Sequence, residues 1–336
     1  MIFPKVSIVI PVYNGSNFMK EAIDSALTQT YSNIEVIVVN DGSNDNGATD
    51  SIASSYGDKI RYFSKPNGGV STALNLGITE MTGDYFSWLS HDDVYKPEKV
   101  AKQMEFLQGL EGNENMNTIV YGGYELINDK SKTIDVIDYS KLYENSQLSV
   151  SLFPVFRGLA NGCTMLIPKS QFDRVGLFDV GLRTTQDYEL WFRLFRGAIV
   201  KFCPGIYLKS RIHSNQTGRT NREHTNECEK LWISMLDSVS YEEMCEIDGT
   251  PYHFYIRTAE FLKRHSSYWE AEEHSRNLAE REMNRNNGSI PEEIIRSKVP
   301  ISMSTGGIVY KVLRITHYVR NNGFSKTTKK ILKKFN

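Results

Sequence analysis

The chain has 336 residues, with 39 Lys and Arg against 40 Asp and Glu; its formal net charge of −1 gives no global field that would steer it toward nucleic acid. The length is enough to bury a sizeable core and fits one large domain plus a smaller one. The cysteines, Cys163, Cys203, Cys228 and Cys245, show no close pairing and no metal-ligand spacing, which suits reduced thiols in a cytosolic protein better than a disulfide framework or a zinc site.

The apolar run 6–12 is too short to span a bilayer and lacks a signal-peptide cleavage pattern, so it reads as a buried strand. No other segment is long and apolar enough for a transmembrane helix. The strand closes on Pro11-Val12-Tyr13-Asn14, where a tyrosine is either a ring that stacks on a base or a core-edge side chain. Residues 17–30 have helical spacing, with Phe18, Ala22, Ile23, Ala26 and Leu27 on one face. Residues 34–39 form a second strand, apolar on both faces as central parallel strands are, and it ends at Asn40-Asp41-Gly42-Ser43. An Asp there can accept a hydrogen bond from a nucleobase N–H while Gly turns the backbone beneath it; read alone, the residues are equally an Asp-Gly turn.

Residues 50–56 continue a helix, 60–63 form a short strand, and Asn67-Gly68-Gly69 precedes a helix over 71–79. A glycine pair at a helix N-terminus admits phosphate or ribose close to the backbone, or is a simple loop. It is not a dinucleotide fingerprint, because no Gly-x-Gly-x-x-Gly follows the first strand. Strand 85–89 runs straight into Ser90-His91-Asp92-Asp93. Adjacent acids repel unless a cation offsets them, and a hard divalent ion completed by substrate phosphates does so. The plainer alternative is a solvated loop with Asp93 as N-cap of the helix over 97–110. Beyond it, 111–117 is loop-like, 118–127 a strand, 129–145 a polar excursion and 161–167 another strand.

Asp187 opens an amphipathic helix over 186–195, with Leu190, Trp191, Leu194 and Phe195 on its buried side. The helix dipole favours a carboxylate there, although a lone Asp is most often a first-turn residue. Arg211-Ile212-His213-Ser214-Asn215-Gln216 ends the last strand of this part, and His213 either ligates a metal, contacts a phosphate or is structural. From about Asn226 the pattern turns helical, placing a boundary between 1–225 and 226–336; no internal repeat or low-complexity tract is present. Strand and helix in alternation imply an α/β fold: a doubly wound, mostly parallel sheet flanked by helices, with a C-terminal helical region.

Taken together, these segments resemble glycosyltransferase family 2, the inverting enzymes on the GT-A fold, over roughly residues 6–216 and with motifs in the family's order. The opening strand through Asn14 and the strand through Asn40-Asp41-Gly42-Ser43 are similar to the family's nucleotide-binding elements, and Asn67-Gly68-Gly69 through Asn75 is similar to its next nucleotide loop. The resemblance implies that Pro11, Val12, Tyr13, Asp41, Asn67, Gly69, Asn75, His91 and Asp92 contact the nucleotide. It implies that Asp92, Asp93 and His213 surround an Mn²⁺ or Mg²⁺ ion, since Ser90-His91-Asp92-Asp93 stands where the family has Asp-x-Asp. It makes Asp187 the catalytic base, and the reaction a single displacement from a UDP-sugar to a saccharide acceptor, possibly a lipid-linked glycan or surface-polysaccharide precursor.

The chain departs from the pattern at Ser90, where the family has Asp, at Leu74, where it has Arg, and at Gln186, where it has Glu. A non-catalytic sugar-nucleotide-binding or scaffold protein on the same fold is therefore a second reading. A nucleotidyltransferase would show a basic, glycine-rich loop after the first strand, and Val12-Tyr13-Asn14-Gly15 is not one. After Glu293 the chain has no Asp or Glu while Lys and Arg recur. Its segment 308–335 interleaves Lys311, Arg314, Lys329 and Lys333 with Val312, Tyr318, Ile331 and Phe335. Such a basic amphipathic stretch either lies on an anionic membrane surface or packs on the domain. The expected location is cytoplasmic, peripheral to the inner face of the cell membrane, with no nucleic-acid partner.

Overall fold

The computed structural model describes residues 4–110, 117–213, 223–265 and 268–285. The basic segment 308–335, and Ser214 to Gln216 after His213, lie outside them.

β1 (Val6–Val12) is the centre of the fold, and all seven of its residues are buried. β2 (Ile34–Asn40) pairs with it in parallel, Val6 against Ile34 through Val12 against Asn40. On its other side β4 (Tyr85–Trp88) is also parallel, with Val9 opposite Trp88. β3 (Arg61–Ser64) and the short β8 (Ile167–Pro168) complete the sheet in the order β3-β2-β1-β4-β8, with only β8 antiparallel. The mostly parallel sheet expected from the alternating pattern is what the chain forms. A second sheet runs β5-β9-β6-β7, built from β5 (Val94–Tyr95), β6 (Thr118–Ile127), β7 (Thr133–Ile137) and β9 (Ile199–Arg211).

Helices cover the sheets with their apolar stripes. α1 (Met19–Leu27) buries Met19, Ala22, Ile23 and Ala26, and α2 (Ala48–Ser54) follows β2. α3 (Val70–Glu80) buries Ala73, Leu74 and Ile78. α4 (Lys99–Gln108) buries Val100, Met104 and Leu107. The short α5 (Asn145–Leu148), α6 (Phe153–Phe156) and α7 (Ser170–Val175) lead to α8 (Gln186–Phe195), which buries Leu190, Trp191, Leu194 and Phe195.

Three expectations need correction. Asp93 does not cap the helix over 97–110: β5 intervenes, and α4 begins only at Lys99. Lys96 precedes Pro97, a position biased toward extended backbone, which suits the preceding strand. The run 161–167 is mostly a 3₁₀ turn over Gly162–Thr164, because the Asn161 side chain accepts from Cys163 N and holds the chain in a turn. Only Ile167 and Pro168 pair with β4. The polar stretch 129–145 contains β7, which forms a hairpin with β6. This short strand, with Ile134 and Val136 on an exposed face, is flanked on both sides by polar residues that mask it in the composition of the stretch.

The chain divides into two compact units at Glu227–Cys228. The second unit is helical where described, comprising α9 (His224–Ser238, which begins in the first unit), α10 (Tyr241–Asp248), α11 (Pro251–Lys263) and α12 (Trp269–Arg285). Trp232, Phe254, Leu262, Ala271 and Ala279 form its core, and Ser240 with Glu243 makes a capping box at the start of α10. No helix among the described residues is long and apolar enough to cross a membrane.

At the end of the main sheet away from the strands' C-termini, Glu35 ties β2 to its neighbours. Its carboxylate accepts from Ser7 Oγ at 2.5 Å, Thr82 N at 2.7 Å, Thr82 Oγ1 at 2.9 Å and Arg61 Nη1 at 3.0 Å. Burial alone would raise its pKa, but these donors outweigh it and hold the group down to about 2. A depressed folded-state pKa means stabilisation that is present above the unfolded value and lost as pH falls toward the folded one. Urea denaturation should therefore show the wild type losing stability between about pH 4.5 and 2, by roughly 2 kcal/mol more than Glu35→Gln loses. Parallel pH dependence of the two proteins would refute this role.

Candidate functional site

Parallel pairing on both sides of β1 delivers three loops to one edge of the sheet: 13–16 after β1, the turn after β2, and 89–93 after β4. In open α/β sheets this is the edge where ligands bind. Asp41 leaves β2 here and is 3% exposed. Its backbone N–H donates to Val12 O at 2.8 Å. Its carboxylate accepts from Gly68 N at 3.0 Å and Gly69 N at 2.8 Å, and pairs with the Lys65 ammonium. Asn67 Nδ2 donates to Asp41 O at 2.8 Å. Asp41 thus organises the glycine loop that opens α3. Gly42 makes this possible: its φ is +68°, and a Cβ there would stand 2.5 Å from Asn67 N.

Pro11 and Val12 are buried in β1, while Tyr13 is 45% exposed at the rim. Gly15 lets His91 approach: a Cβ at Gly15 would lie 2.7 Å from His91 Cδ2. Burial holds the His91 imidazole below the usual histidine range, with His213 adding to that and Asp92 opposing it. Asn75 has a different place from the expected nucleotide contact. Its amide donates to Phe178 O at 2.9 Å and accepts from Phe178 N at 2.9 Å, tying α3 to the segment before α8. Leu74 is fully buried, so this position is core.

The acidic loop is arranged asymmetrically. Asp92 Oδ2 lies 2.9 Å from His213 Nε2. Asp93 is buried and accepts from Arg211 N at 2.8 Å. Burial, with the neighbouring Asp92 second, pushes the Asp93 carboxyl well above the usual carboxylate range. Ser90 Oγ lies 3.4 Å from Cys163 Sγ.

Asp187 is carried by the first turn of α8, and its Oδ1 accepts from Tyr188 N at 2.8 Å. Trp88 of β4 and Trp191 of α8 both meet the Phe178 ring edge-on, at 6.0 and 5.8 Å between centroids, which packs α8 against the strand that bears the acidic loop. Glu227 accepts from Arg183 N at 2.8 Å and Thr184 N at 2.6 Å and so fixes the loop leading into the helix. Burial pushes the Asp187 carboxyl up to about 6, against the helix N–H groups and with a smaller contribution from Glu227. Asp92, Asp93 and Asp187 line one cavity of about 390 Å³, together with Trp88, Ser90 and Cys163. Gln186 is buried and its Oε1 has no hydrogen-bond partner among the described residues.

A divalent ion such as Mg²⁺ takes oxygen donors and retains positions for phosphate. Among the described residues no group of three or more His, Cys, Asp or Glu is placed to hold a metal by itself. Asp92 with His213 beside it fits an ion that a ligand's phosphates complete, whereas Asp93 stands behind, engaged by Arg211. Motif spacing did not point to Lys65, which pairs with Asp41, or to Arg211; an arginine ending a strand beside a quoted motif was the available signal.

Residues 7–167 match the family model described as glycosyl transferase family 2. A glycosyltransferase of Rickettsia prowazekii is 51% identical over 78% of this chain and 80% of its own length. One from Rickettsia conorii is 50% identical over 83% of this chain, which spans 46% of that protein. The chain thus spans about half the length of the first curated relatives it matches. Among solved structures, residues 1–349 of Staphylococcus aureus TarS in complex with UDP-GlcNAc align with a TM-score of 0.54 and 14% identity over 85% of this chain and 93% of that one, a likeness of fold. The glycine-loop anchor at Asp41, the acidic loop after β4 and this kinship agree: the chain belongs to glycosyltransferase family 2, on a GT-A-type fold.

Proposed function

We propose that the protein is an inverting glycosyltransferase that moves a sugar from a UDP-sugar to a saccharide acceptor. The observation that carries the reading is the single cavity lined by the strand-end carboxylates Asp92 and Asp93 and by the helix-borne Asp187. Binding of UDP-GlcNAc by TarS, a protein of similar fold, supports a nucleotide-sugar donor.

In this reading the nucleotide lies along the edge formed by Tyr13, Asp41 and the glycine loop, with its diphosphate toward Asp92 and His213. A divalent ion held by Asp92, with His213 and Asp93 near it, would supply Lewis-acid stabilisation of the departing diphosphate. Asp187 takes the proton of the acceptor hydroxyl as that oxygen attacks the anomeric carbon. Attack opposite the leaving group inverts the configuration. Burial suits Asp187 to this role, because a base with pKa near the working pH removes a proton more readily than an ordinary carboxylate. We extend the proposal to a lipid-linked glycan or surface-polysaccharide precursor as acceptor, and to peripheral attachment at the cytoplasmic membrane face through the basic segment 308–335.

Asp187→Asn should leave UDP affinity within about twofold while lowering turnover at least about a hundredfold, read by calorimetry and by UDP release with acceptor present. Full-rate turnover by this variant would sink the assignment. The deprotonated form of Asp187 is the active one, so kcat should rise with pH through about 6 and then level off. A profile flat from pH 5 to 8 would contradict the base role. UDP release from a panel of UDP-sugars should require Mn²⁺ or Mg²⁺, stop with EDTA, and be lost in Asp92→Ala. Release that survives EDTA would refute the metal, and UDP binding without turnover on any acceptor would favour a non-catalytic sugar-nucleotide-binding protein.

A further inference from the structure

Arg211 is a cation in the protein interior: none of its side-chain surface is exposed. A buried guanidinium costs several kcal/mol unless its donors are met and its charge is paired. Here its donors reach three separate segments. Nε donates to Asp92 O at 2.7 Å, Nη1 to Asn128 O at 3.1 Å and to Ser131 Oγ at 3.0 Å, and Nη2 to Glu21 Oε2 at 2.5 Å. Its guanidinium also sits 4.4 Å above the Phe18 ring, and that ring is 5.4 Å from the His213 ring. The Arg211 backbone N–H donates to Asp93 Oδ1 at 2.8 Å.

The Arg211 side chain therefore reaches Asp92 through its carbonyl and packs on Phe18, the ring that neighbours His213, while its backbone N–H holds the Asp93 carboxylate. The planar fork matters, because it bonds in several directions at once; a lysine ammonium on a flexible stem does not reproduce that geometry. Stability alone gives little reason for such a group, since well-packed apolar residues often replace buried ion pairs at no loss.

We infer that Arg211 is a positioning residue that presets Asp92 and His213 for the metal–diphosphate end of the ligand, while the uridine end at Asp41 is set independently. The inference rests on the metal-dependent UDP-sugar reading above. It acts through other residues, as partners behind metal ligands do.

The test is calorimetry of UDP binding, in EDTA and in Mn²⁺, for wild type, Arg211→Lys and Glu21→Gln. The quantity read is the gain in UDP affinity that Mn²⁺ brings. In Arg211→Lys this gain should fall at least about tenfold, while metal-free UDP affinity stays within about twofold of wild type. Glu21 is 44% exposed on its side chain, so Glu21→Gln leaves the core packed; it should lower the gain by about threefold. A folded Arg211→Lys with the wild-type gain overturns the inference, as does an equal loss of metal-free affinity, which would mark a general structural role. If Arg211→Lys does not fold, Glu21→Gln decides alone, and an unchanged gain there overturns it. A wild type that gains nothing from Mn²⁺ would instead remove the metal reading itself, and this inference with it.

Discussion

The parallel pairing of β1 with both β2 and β4 is the constraint on which the site depends. Val12 opposite Asn40 and Val9 opposite Trp88 set how far each neighbour runs before it leaves the sheet. Because all three strands point the same way, their exits share one edge, and the polar residues that follow them meet there. Seven consecutive buried residues in β1 hold that register, since a slip would carry apolar side chains into the loops.

Burying carboxylates at that edge raises a common physical problem, met in three ways. Asp41 is surrounded by the amides of Gly68 and Gly69 and by Lys65, and it serves to shape a loop. Asp93 is set behind Asp92 by the backbone of Arg211, with its proton affinity raised by burial. Asp187 accepts from N–H groups of its own helix turn, and burial moves it toward neutrality. In the reading proposed above, Asp187 is the carboxylate that burial brings toward neutral pH to serve as base.

Support for the site comes from residues that do not line the cavity. The Asn75 amide holds the backbone of Phe178, and Phe178 packs against both Trp88 and Trp191. That chain of contacts runs from α3 through the aromatic cluster to α8 and sets where Asp187 stands. Arg211 does the corresponding work for Asp92 and His213 from the other side, by bonding α1, the β6–β7 turn and the acidic loop together.

Much of the fold was legible because its signals are local. Apolar runs identified β1 and β2, and 3.6-residue spacing identified α1 and α8. The order of motifs pointed to family 2 and its fold. Local signals failed where tertiary pairing outweighed composition. β7 lies inside a polar stretch and is largely exposed yet forms a hairpin, and 161–167 looks strand-like but turns at Gly162 because Asn161 caps it. For the site, the sequence by itself determined which acids stand at strand and helix ends, since that follows from periodicity alone. Only the tertiary structure decided that Asp92, Asp93 and Asp187 line one cavity, that Asn75 faces protein backbone, and that Arg211 is buried. These depend on distances between segments as much as 190 residues apart, such as Glu21 and Arg211, and no local pattern encodes them.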